Sequence, residues 1–284
     1  MAPRLPADLR SEDVTFSGLS PAPMSRTGGL AQGLLRALLR ASEVTPQSLP
    51  ELTQAPLAAT IPEQPGAMGH LGLADRIIDA PDHPYARSIG GLAAAIMQAA
   101  PPKRGQAPAV AITAPLAGQG VTTLSLSLAR HLSGRGLRVA LIAGGDTAAL
   151  TQMAGLDSIA PNPVTDPRRP STFGKRDLLS QTVLIGAANA FDPGGTLLST
   201  LRSQTDIILI DAPTPQDLTK TEVQAAILTS RWGACRAAQA QSAAETLRTG
   251  LPLQTPILNA LNACRGPLMS YEDQAEDGAH SAVA

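Results

Sequence analysis

Residues 112–123 read Ile-Thr-Ala-Pro-Leu-Ala-Gly-Gln-Gly-Val-Thr-Thr, and no other stretch constrains the fold as much. An apolar run, Ala109 to Ile112, leads into this segment, and a helical pattern, Leu124 to Ser133, leads out of it. Strand, glycine turn and helix in that order make a phosphate-binding loop, because glycines let backbone N–H groups wrap an anion at a helix N-terminus. The motif G-x-x-x-x-G-K-[ST] is incomplete here. Val121 stands where the lysine belongs and Pro115 stands at the first glycine position. The shape of the loop is retained while its principal charge is gone.

The rest of the chain agrees with an α/β protein. Strands are expected at 57–61, 109–113, 138–143, 182–186, 206–210, 226–230 and 256–261, and helices near 121–134, 194–204 and 235–249. Ile89, Leu92, Ile96 and Met97 form a further helical face that ends at Pro101 and Pro102. Strand alternating with helix implies a twisted, mostly parallel sheet with helices on both faces. Prolines at 3, 6, 21 and 23 mark residues 1–28 as a disordered arm. Leu30, Leu34, Leu35, Leu38 and Leu39 then recur at helical spacing with Arg36 and Arg40 among them. That helix either packs on the domain or lies on a membrane or partner, its arginines toward acidic headgroups. Pro62 to Gly72 reads as a connector, and residues 155–180, with Arg168, Arg169, Lys175 and Arg176, as a surface excursion. Four parts result: the arm 1–28, a helical and extended segment 29–104, a phosphate-loop domain 105–265 and a disordered tail 266–284.

Composition narrows the function. Hydrophobic residues make up 43% of the chain, enough for a core, yet there are only one Trp, two Tyr and three Phe, so the core is built of Ala, Leu, Ile and Val. A net charge of −1 gives no bulk electrostatic case for nucleic acid. Cys235 and Cys264 have no metal-ligand spacing and read as reduced thiols of a cytosolic protein. The N-terminal region has no continuous apolar segment, so neither a signal peptide nor a membrane span is expected.

A second nucleotide signal is Asp206-Ile-Ile-Leu-Ile-Asp211-Ala-Pro213, an apolar strand ending in a carboxylate. Facing a phosphate loop, such a carboxylate can hold Mg²⁺ through water. Taken with this signal, six blocks of the sequence resemble the cytoplasmic domain of bacterial tyrosine kinases of polysaccharide synthesis (BY-kinases), relatives of the MinD/ParA group of P-loop ATPases. Thr45 to Pro62 resembles the family's segment following its second membrane span, and His83 to Ile96 resembles its "sPyaEAfRtLRtnl" helix. Ile112 to Leu128 resembles "iTSplpGEGkTTtslNLA". Val139 to Ile142 resembles the strand before its second aspartate motif, Asp206 to Pro215 resembles "DyviiDtPP", and Ile257 to Asn262 resembles "lGvvLN". The resemblance covers roughly residues 30–265 and implies a P-loop, MinD/ParA-like fold.

The departures from that family are as informative. The lysine is Val121, and both aspartate positions of "LIDaDlR" are neutral, Ala143 and Gly145, with Asp146 one residue late. The oligomerisation helix, E-x-x-R-x-x-R in the family, has Arg87, Gly90 and Ala93 here, and the tail carries the single tyrosine Tyr271 where the family has a cluster. Because phosphoryl transfer is mostly positioning and charge stabilisation, losing these groups is expected to cost orders of magnitude in rate. Nucleotide binding suffers less. Backbone donors from Gly118, Gly120 and Thr123, the Thr122 hydroxyl, Asp211 and Asn262 form a weak site at most for Mg-ATP or Mg-ADP, with Thr122 and Asp211 as the magnesium ligands.

Three states of the loop stay open from sequence: a relic that binds nothing, weak nucleotide binding without turnover, and residual ATPase activity. No catalytic residue is assigned. The resemblance implies a non-catalytic, degenerate kinase-like protein that regulates or scaffolds exopolysaccharide or capsule polymerisation and export. Such a protein would be cytoplasmic, or peripheral at the inner face of the cell membrane. Its partner would be a polysaccharide chain-length regulator or export membrane protein, or a catalytic relative, and alone it is expected to be a monomer or dimer. The alternatives are an active ATP-dependent tyrosine kinase or ATPase of polysaccharide biosynthesis, and a MinD/ParA-like positioning module.

Overall fold

The computed structural model describes residues 43–64, 72–102, 106–144, 147–157, 174–180, 182–187, 196–219 and 221–264. The expected arm, the Leu30–Leu39 helix, Asp146, Arg168, Arg169 and the tail with Tyr271 lie outside the described residues. Among the described residues the elements run α1 (Ser48–Thr53), β1 (Leu57–Pro62), α2 (Arg76–Asp79), α3 (Pro84–Ala99), β2 (Ala109–Thr113), α4 (Val121–Gly134), β3 (Val139–Ala143) and α5 (Thr147–Met153). They continue with β4 (Lys175–Arg176), β5 (Val183–Ala187), α6 (Thr196–Gln204), β6 (Ile207–Asp211), a 3-10 turn (Pro215–Leu218), β7 (Ala225–Arg231), α7 (Ala237–Gly250) and β8 (Ile257–Cys264).

All eight strands form one sheet in the order β1-β8-β7-β2-β6-β3-β5-β4, parallel throughout except for β4, which runs antiparallel to β5. Strand residues alternate between two layers, as a period of two requires. Val110, Ile112, Leu141, Ile207 and Leu209 face α3 and α4. Ala111, Ala140, Ile142, Ile208 and Ile210 face α6 and α7. Because both faces are covered, the central strands read as unbroken apolar runs rather than alternating ones. The scarcity of aromatics shows in the second layer, whose buried residues are all Ala, Leu, Ile or Val.

Among the described residues every expected strand and long helix is present, with ends that move by three residues at most. The helix foreseen from Ile89 to Met97 extends back to Pro84 at its first turn, where the His83 ring accepts a hydrogen bond from the Tyr85 N–H. It buries Ile89, Leu92, Ala93 and Ile96 within the domain. The short helices α1, α2 and α5 were not foreseen, being too brief to show a helical period. β1 pairs with β8, so residues 57–62, foreseen as a strand of the segment before the domain, are an edge of the domain's own sheet.

The 155–180 stretch is only partly an excursion. Lys175 and Arg176 form the exposed strand β4, and β6, β3 and β5 separate it from β2. Gly174 precedes it at φ +69°, where a Cβ would collide with the Ile185 carbonyl. Asp177, next in the chain, is fully buried and takes two hydrogen bonds from Arg130 of α4, at 2.9 and 2.8 Å. Arg130 also pairs with Asp75 and donates to the Met153 carbonyl, so one guanidinium ties α2, α4, α5 and the β4–β5 turn together.

Candidate functional site

The loop between β2 and α4 lies at the C-terminal end of the central strand, where open α/β sheets bind their ligands. Gly118 and Gly120 have φ of +77° and +88°, the left-handed region that favours glycine. Gly120 is the N-cap of α4, and its carbonyl accepts from the Leu124 N–H at 2.9 Å. A Cβ on Gly120 would lie 3.2 Å from Asn262 Nδ2, a tight contact that adds to the conformational demand for glycine. The first N–H groups of α4 have no partner within the helix, and the helix dipole adds to their pull on an anion. The expected strand–loop–helix geometry is therefore present.

Its chemistry is changed. Val121, at the lysine position, is 8% exposed and belongs to the same apolar cluster as Leu124 and Ala143. One residue on, Thr122 stands beside the Asp211 carboxyl, its hydroxyl drawing that group's pKa down. Asp211 closes β6 in register with Ile112 of β2 and Ala143 of β3, and is 5% exposed. Burial pushes its carboxyl up to about 6, with the Thr122 hydroxyl pulling the other way. A carboxylate at position 143 would stand beside Asp211 on the neighbouring strand; the alanine there is buried, and the Gly144 N–H donates to the Asp211 carbonyl at 2.8 Å.

Thr122 and Asp211 suit a magnesium ion that arrives with a phosphate, because Mg²⁺ takes its remaining oxygens from phosphate and water. Among the described residues no group of three His, Cys, Asp or Glu could hold a metal by itself.

On the other side of the loop from Asp211, a cavity of about 150 Å³ opens against the ends of β7, β8 and β1. Gly118, Gly120 and Thr123 form one wall, Arg231 and Asn262 a second, and Pro62 with Tyr85 a third. The Asn262 amide donates to the Gln119 carbonyl at 2.9 Å and to Thr229 Oγ1 at 2.6 Å, fixing the loop to the sheet. Both its N–H groups are thereby used, which leaves its oxygen for a ligand. The Tyr85 hydroxyl is held by Ser127 at 2.8 Å, and burial pushes its phenol up to about 12. Beneath the loop, burial pushes the Cys235 thiol up while Ser230 and Gln119 draw it back.

The structure thus sets Gly118, Gly120, Thr123 and Asn262 around one cavity and pairs Thr122 with Asp211 on the far side of the loop. Arg231, Gln119 and Tyr85 were not singled out from sequence. Arg231 follows an apolar strand as Asn262 does, and that shared position was the available signal. Gln119 and Tyr85 carried none.

An eight-stranded, mostly parallel sheet whose central strand feeds a glycine loop and helix is the α/β architecture of the P-loop NTPases. The fold is similar to that of tyrosine kinase domains. The chain is similar to the kinase domain of the Escherichia coli tyrosine kinase ETK (TM-score 0.58, 15% identity, 80% of this chain and 99% of that one). It is similar also to the BceF tyrosine kinase domain (TM-score 0.54, 19% identity, 77% and 99%) and to the chimerical protein CapA2B2 (TM-score 0.60, 14% identity, 78% and 100%). No family model matches the sequence, and no curated protein matches it. Among the described residues no helix is long and apolar enough to cross a membrane.

Proposed function

We propose that this chain is a non-catalytic, kinase-like module that regulates or scaffolds the polymerisation and export of an exopolysaccharide or capsule. One observation carries the reading. A phosphate loop with its backbone geometry retained has a core valine, Val121, where the phosphate-contacting cation belongs, and a core alanine, Ala143, beside the carboxylate Asp211. Transition-state charge in phosphoryl transfer is stabilised by preorganised cations and donors, and deleting one such group typically costs about 10²–10³ in rate. A site that lacks that cation, and also the carboxylate that would position the nucleophile or a metal ion, binds or signals rather than turns over.

The likeness in fold to tyrosine kinase domains supports the polysaccharide setting, with a chain-length regulator, an export membrane protein or a catalytic relative as partner. The module would sit in the cytoplasm, with or without contact to the inner membrane face. In α3, Arg87, Gly90 and Ala93 replace the charges of the family's ring helix, and the face around Leu92 and Ile96 is taken up inside the domain. Charge pairs fix which surfaces meet, so their loss favours a monomer or dimer.

The test is an assay of the purified chain with ATP and magnesium for phosphate release and phosphotyrosine, together with capture by a co-expressed export protein. Neither product above background, with capture, is the expected outcome. Turnover that disappears in Asp211→Ala would instead establish an active kinase or ATPase. Capture by an unrelated cargo protein alone would favour a positioning module.

A further inference from the structure

The cavity beside the glycine loop has one carboxyl and one guanidinium group on its walls, those of Glu63 and Arg231. Arg231 ends β7 and is paired in register with Asn262 of β8. Paired residues on adjacent strands, and residues two apart along one strand, share a face of the sheet. Thr229, Asn262 and Arg231 therefore lie on one face, and Asn262 holds the loop itself through the Gln119 carbonyl. Arg231 is exposed, and its side chain makes no hydrogen bond or ion pair among the described residues. It is thus an unengaged guanidinium on the wall of the cavity that also presents Gly118, Gly120 and Thr123.

We propose that Arg231 supplies from β7 the positive charge that Val121 withholds from α4, and that the cavity takes a nucleoside diphosphate without requiring magnesium. The order of the strands makes the argument. Arg231 lines the cavity from the β7 side of the loop, whereas Asp211, with Thr122 beside it, stands on the β6 side. A nucleoside in the cavity directs its first phosphates onto the loop N–H groups within reach of Arg231, whose planar fork suits paired phosphate oxygens. A third phosphate would run on toward Val121 and Asp211, where the described residues provide an apolar side chain and a carboxyl group but no cation. Charge recognition is concentrated at the near end of the phosphate chain, so the site favours two phosphates over three. The Asn262 oxygen is an acceptor for an exocyclic amine of the base.

This inference deepens the reading above and rests on the retained loop, not on the absence of turnover. Calorimetric titration of the full chain with ADP, and separately with ATP, in EDTA and in magnesium, tests it. ADP is expected to bind in EDTA within about threefold of its affinity in magnesium, and ATP to bind no more tightly than ADP. Arg231→Ala should weaken ADP about tenfold or more, a loss in the range of a charge-assisted contact, and Arg231→Lys should restore part of it. An unchanged thermal midpoint in Arg231→Ala shows that the exposed site has not disturbed the fold. Absence of ADP binding, binding that needs magnesium, or unchanged affinity in Arg231→Ala overturns the proposal. Because ADP is titrated alone, turnover of ATP would refute the non-catalytic reading and leave this result legible.

Discussion

Asp211 lowers the stability of the folded chain at neutral pH, and replacing it with asparagine should reveal by how much. Its carboxyl has lost water at the end of a buried strand and moves from an ordinary 3.8 to about 6. At about 1.4 kcal/mol per pH unit, the shift is worth roughly 3 kcal/mol. The sign follows from proton binding. Between pH 4 and 6 the folded state holds this proton and the unfolded state releases it, so the contribution of Asp211 to stability falls as pH rises through that window. Above about pH 6 both states are ionised and the full cost, about 3 kcal/mol, persists. Asparagine keeps an acceptor for the Thr122 hydroxyl and cannot ionise. Asp211→Asn should therefore be more stable than wild type by up to about 3 kcal/mol at pH 8 and by under about 1 kcal/mol at pH 4. Urea unfolding at the two pH values, read from midpoints at unchanged slope, measures both differences. Equal midpoints at pH 8, or a difference independent of pH, would refute the reasoning and mean that the carboxylate is solvated or paired. The gain in stability should be accompanied by loss of any magnesium-dependent nucleotide affinity, as expected where a binding group is kept at a cost to the fold.

Two other substitutions test the architecture. Arg130→Met strands the fully buried Asp177 and should cost about 3–5 kcal/mol in urea unfolding, whereas adding Asp177→Leu should recover most of that loss; equal destabilisation by the single and double variants would show that packing, not charge, decides the site. Val121→Lys must carry its ammonium out of a core position along a flexible stem, so it should lower the thermal midpoint yet make ATP bind about tenfold more tightly than ADP; no preference for ATP would mean that the loop no longer accepts a phosphate at that end.

The sequence by itself determined the architecture and the loop. Val110, Ile112, Ile208 and Ile210 lie in apolar runs long enough for strands and too short for helices, and Gly118 and Gly120 before Thr122 allow few local conformations other than a turn entering a helix. The phosphate-loop motif made the loss at Val121 readable, and the resemblance to the tyrosine kinase motifs the loss at Ala143, because a missing lysine or aspartate needs no coordinates to be missed. Only the tertiary structure decided what surrounds them. Strand order set Asp211 against Ala143 on one side of β2 and Arg231 against Asn262 on the other, although Arg231 lies 110 residues beyond Val121 along the chain. The partnership of Arg130 with Asp75 and Asp177, which come from segments 55 and 47 residues away, left no periodic trace. Hydrophobic period and turn residues act over one or two turns of chain, so they specify elements. Burial of a charge, the direction of the Asp211 shift and the composition of a cavity depend on which elements become neighbours, and that follows from packing the whole sheet.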